Sequence, residues 1–171
     1  MKTGLLITAR LKSKRLKKKI LEPINGISII SYLVQRMQKT FLNNQIVIIT
    51  SNSNQDKPLL KVSNQLKIKS FVGDPIDVLV RMYDASKKFK FKNFISCTAD
   101  NPFVDPFYAK KLLKYHLKKK NDLTIIKGLP FGTFCYAINQ NGLRKVIKSK
   151  KSKNTEIWGP YFKENKNTKV G

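Results

Sequence analysis

Short unbroken apolar runs alternate along the chain with stretches whose apolar residues recur every three or four positions. Residues 4–9, 45–50, 68–72 and 93–98 are of the first kind, and the second of them is β-branched through Ile46, Val47, Ile48 and Ile49. Runs this short, closed by polar residues, predict strands buried on both faces. Residues 28–39 are of the second kind: Ile29, Ile30, Leu33, Val34 and Met37 fall on one side of a helix, with Ser28 placed to cap it. Pro58 suits the first turn of a helix running to about Leu66. Gly73-Asp74-Pro75 ends the third strand, and Asp77 begins a helix that turns Val78, Leu79, Met82, Tyr83 and Ala85 inward.

Pro23-Ile24-Asn25-Gly26 is a turn signature. Beyond the fourth strand the pattern predicts a helix over 106–117, strands over 122–126 and 133–138, and a helix over 141–147. A last short helix or turn is expected from Thr155-Glu156 through Trp158 to Phe162. Strands apolar on both faces and alternating with helices predict an α/β fold, a mainly parallel sheet between helical layers. Ligands of such folds collect beyond the carboxyl ends of the strands. The loops after the first four strands, at Arg10, Ser51, Gly73 and Asp100, share that rim, so a binding site is expected there.

The 171 residues suit one domain, with no internal repeat and no linker. Composition changes the picture through its charge. A net +25 is extreme and would draw phosphates, nucleic acid or anionic surfaces. Nearly all of it is lysine, however, beside abundant Asn and Ile and scarce Ala and Gly. That bias fits compositional drift over solvated faces better than a dedicated nucleic-acid binder, which would favour arginine. Nucleic acid is therefore disfavoured as a partner. Cys97 and Cys135 lie in apolar runs without a CxxC spacing and read as buried free thiols, in keeping with a reducing cytoplasm. The first apolar run is too short for a signal peptide, and no stretch reaches membrane-spanning length; no membrane association is expected.

Arginine is scarce, yet Arg10 and Arg15 fall in the loop after the first strand, with Ser13 between them and Lys19 beyond. Arg15 and Lys19 are spaced to reach a polyphosphate, Ser13 and loop amides adding hydrogen bonds; the alternative is a solvated lysine run. Asp100 ends a buried strand in a chain with ten acidic residues. A carboxylate there suits Mg²⁺ bridging phosphates, or else a turn-forming residue ahead of Pro102. Asp105 reads as a helix cap, and His116, without an acidic or thiol partner at ligand spacing, as a surface or partly buried structural residue. Trp158 and Tyr161 read as packing residues, and Phe89, Phe91 and Phe94 as the approach to the fourth strand rather than a base-stacking platform.

Ile7-Thr8-Ala9-Arg10 with Ser13, Arg15-Leu16 and Lys19 resembles the amino-terminal signature of sugar-acid cytidylyltransferases. The closest branch is the spore-coat-polysaccharide cytidylyltransferase-like family, related to the enzymes that make CMP-sialic acid and CMP-Kdo. The resemblance continues through Gly73, Asp77-Val78-Leu79 with Arg81 and Tyr83, and Thr98-Ala99-Asp100-Asn101-Pro102-Phe103-Val104-Asp105. Leu129-Pro130 with Gly132, and Glu156 with Pro160-Tyr161, are similar to later family blocks. The resemblance implies a three-layer α/β/α sandwich of the nucleotide-diphospho-sugar transferase type, Rossmann-like, and transfer of CMP from CTP to a small acidic sugar. Ala9, Arg10, Ser13, Arg15, Lys19 and Arg81 would bind the nucleotide, with Arg15 and Lys19 neutralising the triphosphate in catalysis. Asp100 would hold Mg²⁺, and Glu156 would touch the substrate.

The chain departs from the family pattern in places. Lys12, Lys17 and Lys18 stand where relatives carry Gly and Pro, and Thr133-Phe134-Cys135-Tyr136 where relatives often carry acidic residues. It stops at Gly171, ahead of the carboxy-terminal block in which relatives place another metal-binding aspartate and through which they often pair, so a homodimer stays open. The alternative reading is a non-catalytic or decayed basic homologue that binds nucleotides or nucleic acid.

Overall fold

The computed structural model describes residues 2–13 and 16–171. Chain order gives β1 (Thr3–Thr8), β2 (Pro23–Ile24), β3 (Ile27–Ser28), α1 (Ile29–Met37), β4 (Ile46–Ser51), α2 (Pro58–Gln65) and β5 (Lys69–Gly73). There follow α3 (Val78–Lys88), β6 (Asn93–Thr98), α4 (Pro106–Lys119), β7 (Leu123–Ile125), β8 (Tyr136–Asn139), α5 (Gln140–Ser149) and α6 (Gly159–Glu164). The main sheet has the order β5-β4-β1-β6-β8-β7. Its first four strands are parallel, and β8 runs antiparallel to both β6 and β7.

Alternation along β1 divides the core into two layers. Leu5 and Ile7 face α1, α2 and α4 with Ile46 and Ile48; Leu6 faces α3, α5 and α6 with Val47 and Ile49. All of these side chains are fully buried, each contributing about 2 kcal/mol from the apolar area removed from water. The expected mainly parallel sheet between two helical layers is what the chain forms. The expected caps are present as well: Ser28 accepts from Ser31 N, Asp77 from Val80 N and Asp105 from Tyr108 N.

Two sequence readings need correction. The strand expected over 133–138 begins only at Tyr136. Gly132 takes a positive φ of 86°, and Thr133 bonds back to Pro130 O through both its amide and its hydroxyl, so the preceding stretch is a turn. His116 is not at the surface: it is fully buried on the inner face of α4. Its Nε2 donates to Asn93 Oδ1 at 3.2 Å, and its Nδ1 accepts from Thr124 Oγ1 at 2.8 Å, a tautomer assigned from the surrounding donors. Asn139 also donates to Asn93, and Asn121 to Thr124, which closes the network. Burial lowers the His116 pKa to about 4 against a small opposing pull from Asp122, so the ring is neutral and structural.

Candidate active site

From β1 the chain moves outward to β4 and β5, then returns to lay β6 against the other side of β1. The order thus reverses between β1 and β6, where open α/β sheets form a crevice. Thr8 pairs with Thr98, and Ala99 N donates to Thr8 O at 2.9 Å, so the two chains leave the sheet at the same level. A cavity of about 620 Å³ opens there.

One side of it is the rim of the sheet, carrying Arg10, Lys12 and Ser13 after β1, and Asp100 after β6. Lys19 starts a single 3-10 turn whose Ile20 is sunk in the core, which anchors the lysine's backbone. Its Nζ donates to Asp100 Oδ2 at 2.8 Å. With side chains 36% and 42% exposed, this pair contributes at most about 1 kcal/mol to stability, so its residues are free to trade partners. Burial pushes the Asp100 carboxyl up, but hydrogen bonds from Lys19 and Thr98 and the lysine's charge outweigh it. The net pKa lies below the usual carboxylate range, and Asp100 is ionised at neutral pH.

The other side carries Val78, Arg81, Glu156 and Trp158. Arg81 is fully buried; its Nη1 donates to Asp74 O at 2.8 Å, while Nε and Nη2 have no partner among the described residues. Burial, then the charge of Arg10, lower its pKa to about 10 against Asp56, Asp74 and Asp77, so it remains a cation. Gly73 makes room for it: a Cβ there would lie 3.1 Å from Arg81 Cγ and 2.7 Å from the Phe71 ring. Glu156 and Trp158 arrive on the carboxy-terminal segment, which docks on the start of α3. Thr155 Oγ1 donates to Asp77 Oδ1 at 2.8 Å and accepts from Leu79 N at 3.1 Å. Lys150 Nζ meets Asp77 Oδ2 in a nearly buried ion pair. Trp158 packs edge-on against Tyr136, 5.0 Å between ring centres, so its packing role coexists with a place on the cavity wall.

The structure therefore brings together Arg10, Ser13, Lys19, Arg81, Asp100 and Glu156. Ala9 does not line the cavity; it is buried beneath it and donates its amide to Ile49 O at 3.0 Å. Arg15 lies outside the described residues. Asp56, which the sequence reading passed over, is buried against Arg10 and the start of the basic loop. Its scarcity was the available signal: one of ten acids, just past a rim loop. Cys97 and Cys135 are buried free thiols; burial raises the first well above the ordinary thiol value and the second to about 12, so neither is a thiolate at neutral pH.

Among the described residues, no three acidic, His or Cys side chains converge into a metal cage. Mg²⁺ that keeps its waters and shares substrate phosphates needs only one or two carboxylates, and an ionised, half-exposed Asp100 on the cavity wall fits that demand.

A cytidylyltransferase family model matches residues 5–169. An uncharacterized protein of Methanocaldococcus jannaschii is 32% identical over 163 residues, covering 95% of this chain and 67% of that one. The spore coat polysaccharide biosynthesis protein SpsF of Bacillus subtilis is 29% identical over 147 residues, 84% of this chain and 61% of its own length. The chain thus spans about two thirds of the length of the curated relatives it matches. Among solved structures, a cytidylyltransferase from Leptospira borgpetersenii matches with a TM-score of 0.91 at 20% identity, over 99% of this chain and 74% of that one. CMP:2-keto-3-deoxy-manno-octonic acid synthetase, complexed with CTP, matches at 0.68 and 14% identity, over 92% of this chain and 82% of the other. At these identities the structural likeness speaks for the fold.

Proposed function

The chain belongs to the cytidylyltransferase family, and from that premise we propose that it transfers CMP from CTP to the hydroxyl of a sugar acid, nonulosonate- or octulosonate-like, for a surface polysaccharide. The acceptor class is taken from what the names of SpsF and the octonic acid synthetase say of those proteins. The observation that carries the reading is the meeting of Lys19 and Asp100 at 2.8 Å in a cavity that also holds Arg10, Ser13 and Arg81. A cation next to a carboxylate is a poor site for a neutral ligand and a good one for a polyphosphate with a shared Mg²⁺.

On this reading the acceptor oxygen, its hydroxyl proton passing to solvent, bonds to the α-phosphorus of CTP, the bond to the β-phosphate bridge breaks, and pyrophosphate leaves. Lys19 passes from Asp100 to the phosphates and offsets the negative charge that gathers on the departing group, with Arg15 as a second cation. Asp100, released, is the carboxylate that would hold Mg²⁺; when bound, the ion neutralises the phosphates and fixes their geometry. Arg10 and Arg81 orient the nucleotide, and Glu156, exposed on the opposite wall, faces the acceptor. The reaction would run in the cytoplasm, which suits two unpaired thiols.

The test is pyrophosphate release from CTP and Mg²⁺ with a panel of nonulosonic and octulosonic acids. No release with any acceptor, together with CTP binding no tighter than UTP or ATP binding, would refute the reading. Asp100→Asn should abolish release while changing stability by no more than about 1 kcal/mol, the worth of an exposed ion pair. A large loss of stability with the Mg²⁺ response retained would make Asp100 a turn residue.

A further inference from the structure

Asp56 is a fully buried carboxylate to which the proposed reaction assigns nothing. It ends a single 3-10 turn, Asn54–Asp56, just past β4. Both of its oxygens are engaged: Oδ1 accepts the Leu11 amide at 2.7 Å, and Oδ2 accepts the Ser51 hydroxyl. Arg10 Nε lies 3.9 Å from Oδ2, too far for a hydrogen bond but close for a charge pair shielded from water. That Nε has no other partner among the described residues.

A neutral amide would still accept from the Leu11 N–H, and burying an ionised carboxylate costs several kcal/mol unless a cation answers it. The charge therefore needs its own account, and the cavity wall supplies one. Arg10 and Arg81 both line the cavity, and Arg81 feels the positive charge of Arg10. Asp56 acts on Arg81 in the opposite sense while pairing with Arg10. Two guanidinium groups thus reach the cavity with N–H groups unpaired among the described residues, and one buried carboxylate sits beside Arg10.

We propose that Asp56 is the positioning residue of the cavity's nucleotide side: its charge holds Arg10 beside Arg81, and its bond to Leu11 fixes the first turn of the basic loop. The identity of the ligand rests on the CTP reading above; the hold of Asp56 on Arg10 does not.

Asp56→Asn keeps the size of the side chain and an acceptor for Leu11 while removing the charge. CTP affinity, measured by calorimetry, should fall about tenfold, a coupling of the size found between contacting charges. In an Arg10→Gln background the same change should cost less than about twofold, because the partner through which Asp56 acts is gone. Equal losses in both backgrounds would overturn the proposal. A second measurement covers a variant that does not fold. The chain has five arginines, so arginine-selective ¹⁵N labelling of the wild type resolves their Nε–H signals. Arg10 Nε–H should exchange slowly with solvent without any nucleotide, and exchange as fast as that of free arginine overturns the hold of Asp56 whatever CTP does. A protected Arg10 in a chain that binds no CTP would instead sink the nucleotide reading and leave the Asp56–Arg10 hold standing.

Discussion

The two halves of the sheet are stabilised in different currencies. The parallel half, β5-β4-β1-β6, is held by apolar side chains on both faces, with Leu5, Leu6, Ile46 and Val47 wholly out of water. The antiparallel half and the carboxy-terminal segment add to their apolar packing a set of buried polar groups. They comprise the His116 network between β6 and β7, the Asp77–Lys150–Thr155 latch, and Asp122, which takes Lys145 Nζ at 2.9 Å and the Lys169 amide at 3.0 Å. Apolar packing is spread over many residues and degrades gradually. A buried ion pair or a neutral histidine is concentrated in one or two atoms and fails all at once. The cavity lies on the seam, its sheet rim rooted in the first half and its Glu156–Trp158 wall in the second.

The strongest test of that contrast is Asp77→Asn. Asn caps a helix as well as Asp, so the change spares the start of α3 and removes only the charge facing Lys150. Lys150 is 9% exposed, and stranding it should destabilise the chain by about 3–5 kcal/mol in denaturant unfolding. The sole tryptophan, Trp158, reports the local consequence: its emission should shift to the red before the main transition as the segment detaches. A loss under about 1 kcal/mol would equate the latch with a surface ion pair and remove the contrast.

The same contrast explains what the sequence disclosed. Apolar runs are periodic, so β1, β4, β5 and β6 were legible to within a residue or two, as were the caps at Ser28, Asp77 and Asp105. Arg10 and Asp100 were legible because each closely follows such a run, and Ser13 and Lys19 because of their spacing along the loop that Arg10 begins. The second half leaves weaker traces. That His116 is buried depends on Asn93, Thr124 and Asn139, residues spread over 46 positions that share no pattern until the fold joins them. Val170 bridges in parallel to Leu123 with no apolar run to announce it. Asp56 went unread for a related reason: its partners Leu11 and Arg10 are some 45 positions away.

His116 gives the pH version of the test. Its folded pKa of about 4 lies below the ordinary 6.5, so the unfolded chain takes up a proton that the folded chain refuses. The contribution is complete above pH 6.5 and is lost as pH falls toward 4, by about 3 kcal/mol in all, one pKa unit being worth about 1.4 kcal/mol. Unfolding free energies measured across that range should show the loss in the wild type, and the part assigned to this ring should vanish in His116→Gln. A slope unchanged by the substitution would move the acid sensitivity to the carboxylates of the chain.

The smallest effect belongs to the parallel half, and it bears on the loop where relatives carry glycine. Among the described residues, five non-glycine residues have a positive φ, and four are lysines: Lys18, Lys67, Lys90 and Lys120. Three of these follow helices α2, α3 and α4, where glycine commonly ends the turn, so lysine has entered backbone positions that glycine fills at lower cost. Of Lys12, Lys17 and Lys18, the lysines standing where glycine and proline were expected, only Lys18 is left-handed, at φ 55°. Among the described residues of the loop, Lys18 alone takes this conformation, and Lys19 still reaches Asp100 from the next position. Lys18→Gly should stabilise the chain by about 0.5 kcal/mol, the relief of the left-handed Cβ offset by glycine's greater freedom when unfolded. Lys18→Ala, which keeps the Cβ, should show none of that gain. If glycine and alanine prove equivalent in paired denaturation curves, the left-handed turn is not what the folded loop adopts, and the lysine at this position is as neutral as those on the outer helices.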